Sequence, residues 1–470
     1  MAAVVAFVAM TVPRVRARSL WVDEAITLGA VRDLGRTLRE TGGTMALFYV
    51  LVAPIEGLTH DRLWLRLPSV VAVGATVWVT YEIGRRLGRA RLGGLAAGFV
   101  ALSWFADRYA MEVRGYGLAL LLASLAWLGL VGAVRAGPGP ASRRWWALFV
   151  AGTLLAPLAH GISALQFVVQ AACLLLAPDR RYWLRRLGLV AIPLAVLMAA
   201  LFGIGAGEVG NWVEPLNAGQ LRNFLRALVG DQVEARVAVG LALAAGAVLA
   251  VVGARRERDL DRWLRVVPLF WAAGLPALLI TLSLVRPYGV FRYLLTALPG
   301  VALLAASAVD RIPRRLPLAV VAVVLAAVLW GDRELAVTLT NEPWEQLADH
   351  LAEEVRPGDA LVMPVAARPA FDVAWSEVDH PVDPVPLRPV GPVGDVRRFY
   401  EQGPWPSSRA ALVEGGAERV WYVDRGHTRR DDVEALLEDP AVRARYRVVT
   451  DEVFAGTLVL VGLQARPGAP

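Results

Sequence analysis

The chain has 470 residues, 56% of them hydrophobic, and a mean hydropathy of +0.48, which excludes an ordinary soluble domain and fits a membrane protein. The formal net charge is +7, and with no lysine present all of the positive charge is arginine. Most of that arginine sits in short loops between apolar runs, where it marks topology rather than nucleic-acid binding; the single cysteine, Cys173, excludes an intrachain disulfide.

In chain order, the first apolar run, residues 1–12, is short for a span needing ~20 residues. It lacks the basic n-region and A-x-A site of a cleavable signal. Its helix is expected to use flanking residues or to begin further upstream. Trp21-Val22-Asp23-Glu24 follows. Two adjacent carboxylates at a membrane rim are costly unless something uses them. The structural alternative is a solvated helix start with Asp23 as its cap. The stretch 44–58 is apolar but interrupted by Pro54 and Glu56, which reads as an interfacial helix on the outer face. Apolar runs then fall at 66–84, 92–106, 115–134, 145–159, 161–178, 187–206, 234–253, 266–285, 292–309 and 316–332. With the N-terminal run, they predict a polytopic α-helical membrane protein of about 11 transmembrane helices.

Charge orients these spans. If 44–58 does not cross, one side collects the loops containing Arg85 and Arg89, Arg135 and Arg143, Arg180 and Arg185, Arg255 and Arg262, and Arg311, Arg314 and Arg315. Such an arginine-rich side is cytoplasmic. Arg14, Arg16 and Arg18 oppose this reading from the other side. The outer face then gathers the Asp23–Glu24 loop, the loop from Asp107 to Arg114, the helix end at His160, the loop from Arg286 to Arg292, and the connection 207–233.

After Trp330 the long apolar runs stop and Pro, Asp, Glu and Arg increase. Residues 1–332 are therefore expected to form a transmembrane module and 333–470 a small α/β domain, extracytoplasmic by the parity of the spans. In that domain 344–355 and 430–438 read as helices, and 360–365, 419–424 and 456–462 as strands. The Pro-rich 381–392 reads as an extended surface loop.

The five histidines, His60, His160, His350, His380 and His427, are scattered and form no metal-ligand motif. No G-x-x-x-x-G-K-[ST] phosphate loop and no G-x-S-x-G elbow occurs. What remains is an outward site of carboxylates, arginines and aromatics. A carboxylate suits a general base. The planar guanidinium suits a bound phosphate. Aromatic rings suit a sugar or the membrane interface. Chemistry on a lipid-linked phosphate fits all three. A transporter or scaffold with a cell-wall-binding outer domain is the alternative. A transporter would place polar residues and broken helices near the bilayer midplane, whereas the charges here lie almost entirely at span ends.

Four motifs carry a resemblance. R-S-L-W-V-D-E-A at 18–25, L-R-L-P-S at 65–69, R-Y-A-M-E-V-R-G-Y at 108–116 and F-R-Y-L-L-T-A-L-P at 291–299 occur in this order. Over about 1–332 the chain resembles the GT-C membrane glycosyltransferases, in the branch of protein O-mannosyltransferases and lipid A aminoarabinose transferases. Where that family often opens its interfacial helix with Pro-Pro-Leu-Tyr-Tyr, this chain has Thr44-Met45-Ala46-Leu47-Phe48-Tyr49. The absence of lysine fits a GC-rich genome, such as an actinobacterial one.

The resemblance implies a GT-C-like fold at the plasma membrane with its active site extracytoplasmic. It implies an inverting transfer of a sugar, mannose or similar, from a polyprenyl-phosphate donor to an acceptor hydroxyl on a glycan, lipid or protein. By the same match Asp23 is the general base and Glu24 orients the acceptor or holds a divalent cation. Arg292, Arg286 and Arg114 are the candidates for the donor phosphate. Glu112, His160, Tyr293 and Trp21 are supporting residues, with Trp21 stacking on the sugar or sitting in the interfacial belt. Snorkelling arginines, a loop-bracing Glu112 and a helix-terminal His160 are the structural alternatives.

Overall fold

A computed structural model describes the chain except for residues 41–42, 206–212, 214, 314, 339–340, 391–392, 395–405, 426–432 and 469–470. Arg314, His427, the first part of the 207–233 connection, the last two residues of the 381–392 segment and the start of the 430–438 helix lie outside the described residues.

Among the described residues each apolar run of the sequence falls mainly on helix. The order is α1 (Ala2–Thr11), α2 (Val22–Arg32), α3 (Leu34–Glu40), α4 (Ala46–Glu56), α5 (Arg62–Arg86), α6 (Ala90–Leu102), α7 (Trp104–Ala110) and α8 (Tyr116–Ala136). It continues with α9 (Arg143–Ala159), α10 (Leu165–Leu174), α11 (Arg180–Gly205), α12 (Ala218–Val229), α13 (Val233–Arg256), α14 (Asp259–Ser283), α15 (Leu298–Val309) and α16 (Arg315–Gly331). Among the described residues six helices are long and apolar enough to cross a membrane, judged by length and composition. They are α5, α8, α11, α13, α14 and the segment Phe291–Val309, whose first part is a 3₁₀ helix, Phe291–Ala297. The remaining expected spans fall on helices too short for that criterion, such as α1, α6 and α10. The 44–58 stretch is the single helix α4, carrying Pro54 inside it.

The chain divides into two compact units. The first comprises Met1–Val15 and Leu34–Ala336. Its centre is α8, with 83% of its most apolar window buried, against 17% for α13 and 22% for Arg180–Leu201 of α11. The outer helices show water-hostile faces, with Leu189 71% and Leu241 67% exposed, as lipid-facing helices do. Prolines stand inside α5, α9, α11 and α14 (Pro68, Pro157, Pro193, Pro268 and Pro276), as membrane-spanning helices tolerate. The expected outer connection 207–233 contains the amphipathic α12, whose first turn is capped by Asn217 accepting from the Gln220 N–H at 2.9 Å.

The second unit joins Arg16–Asp33 to Val337–Pro470. Among the described residues it holds a five-stranded sheet of β1 (Ala360–Val362), β2 (Val385–Arg388), β3 (Arg419–Asp424), β4 (Tyr446–Phe454) and β5 (Leu458–Ala465), in the order β2-β1-β3-β5-β4. The first three are parallel; β5 and β4 run antiparallel to their neighbours. Two strands differ from the sequence expectation. The segment expected as a surface loop supplies β2, whose Pro386 is tolerated because the strand lies at the sheet edge. The hairpin strand β4 also escapes the pattern, since its outer face alternates polar and apolar residues only in part. Inward-facing Val362, Val420, Tyr422, Val459 and Val461 build the core with Leu412 and Val442.

Candidate functional site

The acidic pair lies in the second unit. Trp21 is the N-cap of α2, in extended conformation, so Val22, Asp23 and Glu24 are its first three helical residues. Both carboxylates therefore stand where the helix dipole favours negative charge. The cap itself is made by Glu24 rather than Asp23. Its Oε2 accepts from the Trp21 N–H at 3.4 Å, and Glu24 is fully buried. The Thr27 hydroxyl donates to the Asp23 carbonyl at 3.1 Å, and Asp23 is half-buried. Trp21 is itself 7% exposed, a packed residue rather than one displayed at an interface. Within the unit α2 packs on the helix Arg368–Glu377, and the Ser19 hydroxyl donates to Glu345 on the helix Trp344–Glu354.

The arginines and rings lie in the first unit, centred on Tyr116 at the start of α8. The His160 ring centroid is 4.7 Å from that of Tyr116, and the Tyr293 ring is 5.3 Å from His160. Tyr109 meets Tyr116 edge-on at 5.1 Å. The guanidinium carbons of Arg114 and Arg292 lie 5.8 Å and 5.9 Å from the Tyr116 ring, within cation–π range. Arg108 is 6.0 Å from Tyr109 and pairs with Glu112 at 3.3 Å, both essentially buried.

Local sequence explains this convergence. The turn between α7 and α8 brings Arg108, Glu112, Arg114 and Tyr116 together. The Ser69 hydroxyl, in the L-R-L-P-S stretch, donates to the carbonyls of Glu112 at 2.7 Å and Arg114 at 3.3 Å. Arg66 of the same stretch donates to the Val15 carbonyl. A Cβ on Gly115 would sit 2.2 Å from the Ala159 carbonyl oxygen, so only glycine lets this turn approach the end of α9 that presents His160. His160 breaks α9 in extended conformation, and its carbonyl accepts from both the N–H and the hydroxyl of Ser163, at 2.9 Å and 2.8 Å. The 3₁₀ segment with Arg292 and Tyr293 is pinned behind by Thr296. Trp271 Nε1 donates to the Thr296 carbonyl at 2.8 Å, and Gln166 Nε2 to its hydroxyl at 3.0 Å.

A second buried charge group adjoins α7. Asp107 accepts from the Thr11 hydroxyl at 2.5 Å, from Arg14 at 3.0 Å and faces Arg333 at 2.8 Å. Arg14 is thus tied into an ion pair, and Arg18 is fully buried. Arg16, the third arginine of this stretch, is exposed.

Arg292, Arg114, His160, Tyr293 and Glu112 are thus gathered in one cluster or its support. Arg286 is exposed at the end of α14 and has no ring or ion-pair contact with that cluster among the described residues. Tyr116, Tyr109 and Arg108 join the cluster beside the residues expected there; their signal in the sequence is their place inside R-Y-A-M-E-V-R-G-Y. Among the described residues no three His, Cys, Asp or Glu side chains converge as cation ligands.

No protein-family model matches the chain, and no curated protein sequence matches it. Solved structures do. ArnT from Cupriavidus metallidurans in the apo state aligns with a TM-score of 0.64 at 15% identity, over 98% of this chain and 97% of that one. ArnT from the same organism bound to undecaprenyl phosphate gives 0.63 at 14%, over 98% and 96%. The archaeal oligosaccharyltransferase AglB from Archaeoglobus fulgidus, in complex with an inhibitory peptide and a dolichol-phosphate, gives 0.55 at 12%, over 100% of this chain and 74% of that one. At such identities the likeness is one of fold, shared with ArnT and AglB over nearly the whole of this chain.

Proposed function

We propose that the protein is an inverting glycosyltransferase that moves a sugar from a polyprenyl phosphate to an acceptor hydroxyl on the outer face of the plasma membrane. The observation that carries this reading is the Tyr116 cluster, where Arg114 and Arg292 flank one aromatic ring beside His160. Guanidinium groups held by packed rings are suited to a phosphate in a partly dry site. The fold likeness adds weight, since one of the ArnT structures is described with undecaprenyl phosphate.

In this reading Asp23 takes the proton from the acceptor hydroxyl. The acceptor oxygen forms a bond to the anomeric carbon as the carbon–oxygen bond to phosphate breaks, with inversion. The polyprenyl phosphate departs with the bonding electrons, and Arg114 and Arg292 hold its growing negative charge. No second carboxylate is needed as nucleophile. Glu24, committed to the Trp21 N–H, fixes the helix start that carries Asp23. Glu112 neutralises Arg108 beneath the loop, and His160 and Tyr293 hold the rings in place. Arg286, exposed, is left to the headgroup region. Mannose or a related hexose or pentose is the sugar class.

The test is transfer from a labelled polyprenyl-phosphate sugar in membranes. Asp23→Asn keeps the shape and removes the proton acceptor. It is expected to bind donor normally and to lose about 10²–10⁴-fold in transfer. Near-normal transfer by a folded Asp23→Asn protein overturns Asp23 as base. A reporter fused after Trp330 tests the side of residues 333–470: alkaline phosphatase activity is expected, and fluorescence of a cytoplasmic reporter overturns the assignment.

A further inference from the structure

At the end of the helical unit away from Tyr116, a cavity of about 220 Å³ opens where α5, α13 and α15 end and α6 and α14 begin. Its polar wall holds Arg89, Arg265, Arg311, Glu257, Asp261 and Asp310. Its apolar wall is made by Leu87, Leu92, Leu249, Leu264 and Pro268. A Cβ on Gly253 would meet Arg265 Cδ at 2.3 Å, so the missing side chain is what lets Arg265 lie along α13.

Most of these charges are matched within the protein. Arg89 lies 3.2 Å from Asp310, which also receives the neighbouring Arg91 at 2.6 Å. Arg265 Nε donates to Glu257 at 2.7 Å. Arg311 and Asp261 remain. Both are exposed, and neither side chain has an ion pair or hydrogen bond among the described residues. The cavity therefore offers one cation and one anion to a ligand. It is larger than the ~30 Å³ share of a single water and smaller than the ~300 Å³ where pockets for drug-sized ligands begin.

We propose that this cavity binds the headgroup of a zwitterionic phospholipid of the phosphoethanolamine class. The phosphodiester faces Arg311, and the primary ammonium faces Asp261. A cavity at helix ends, polar on one wall and apolar on the other, lies where a bilayer presents headgroups. The acyl chains have a place to go: Val248, Val251 and Val252, chain neighbours of the lining Leu249 and Ala250, are 60%, 43% and 41% exposed. A single-sign anionic headgroup would leave Asp261 facing like charge, which costs binding.

The experiment uses the purified full chain in detergent, stripped of lipid and titrated with phosphatidylethanolamine, phosphatidylcholine and phosphatidylglycerol of identical acyl chains, read by native mass spectrometry. Phosphatidylethanolamine is expected to bind roughly tenfold tighter than the other two, the discrimination of one charged hydrogen bond. Arg311→Ala and Asp261→Asn are each expected to erase that preference with the thermal midpoint unchanged, and Arg311→Lys to keep most of it. Equal retention of the three lipids, tighter phosphatidylglycerol binding, or a preference that survives both substitutions overturns the proposal.

Discussion

The two ends of the helical unit handle charge in opposite ways. The Tyr116 end packs Arg108, Arg114 and Arg292 against aromatic rings and pairs Arg108 with Glu112. The other end lines its cavity with Arg89, Arg265 and Arg311 against Glu257, Asp261 and Asp310, and few rings attend them. Guanidinium groups held by aromatic packing suit a phosphate, whereas matched ion pairs with one further charge of each sign suit a zwitterion. What packs against the arginines at each end thus says more about ligand class than their number does.

Substitutions at matched positions sharpen this contrast. The largest expected effect on stability is Glu112→Gln, which removes the carboxylate facing a 2%-exposed Arg108. Taking one partner from a buried pair costs on the order of 3 kcal/mol or more, so the thermal midpoint in detergent should fall by several degrees. Asp261→Asn, at an exposed position of the other end, should move it little, since surface changes stay within about 0.5 kcal/mol. Equal shifts would erase the distinction between a buried and a solvated charge set.

Next in size is the effect on donor handling. Arg292→Ala should weaken donor binding and turnover together, by about 10–100-fold, as expected for a charged hydrogen bond of ~1.5–3 kcal/mol. Arg311→Ala should leave transfer unchanged. The measurements are donor affinity and initial transfer rate in the same membranes. Loss of transfer in Arg311→Ala comparable to that in Arg292→Ala would mean that both ends serve one reaction.

How much of this was legible beforehand divides along physical lines. Apolar runs report removal from water, into protein or into lipid, so they are legible as helix from the sequence. The motif 108–116 was legible because its chemistry-bearing residues are close in sequence and share one turn. Asp107 with Arg14 and Arg333 was not, since ion partners 93 and 226 residues apart leave no periodic trace. Arg286 and Arg292 look alike in sequence. What separates them is that one lies exposed just beyond α14 while the other sits in a 3₁₀ segment braced by Thr296. The membership of residues 16–33 in the same unit as 337–470 was equally invisible. An apolar N-terminal segment precedes those residues, and hydropathy says nothing of a partner three hundred residues away.

A smaller effect concerns how the Tyr116 end is assembled. Gly115 has an ordinary backbone conformation (φ −67°), so an alanine there is not strained by its dihedrals. The obstacle is steric, a Cβ 2.2 Å from the Ala159 carbonyl. Either the turn retreats or the end of α9 does, at a cost of about 1–3 kcal/mol for overpacking. Both responses move Tyr116 relative to His160, whose rings are 4.7 Å apart. Gly115→Ala should therefore lower the thermal midpoint modestly and raise the apparent KM for the lipid donor, while phospholipid preference at the opposite cavity stays intact. A Gly115→Ala protein with unchanged donor KM would show that the spacing of these rings is not what holds the donor.

The smallest expected effect belongs to the second unit, and it separates placing the base from holding the donor. Ser19 precedes the acidic pair and donates to Glu345, while α2 packs on the helix Arg368–Glu377. Ser19→Ala removes one hydrogen bond worth about 1 kcal/mol net, too little to unfold the unit. If the C-terminal fold positions Asp23, the loosened segment spends less time with its carboxylate in reach of the acceptor. Turnover should then fall a few-fold with donor affinity unchanged, whereas Glu345→Gln alone, which still accepts from Ser19, should keep most of the rate. A matched loss in donor affinity would instead mean that residues 16–33 contribute to the phosphate site itself. An unchanged rate in Ser19→Ala would leave the positioning of Asp23 to the packing of α2 alone.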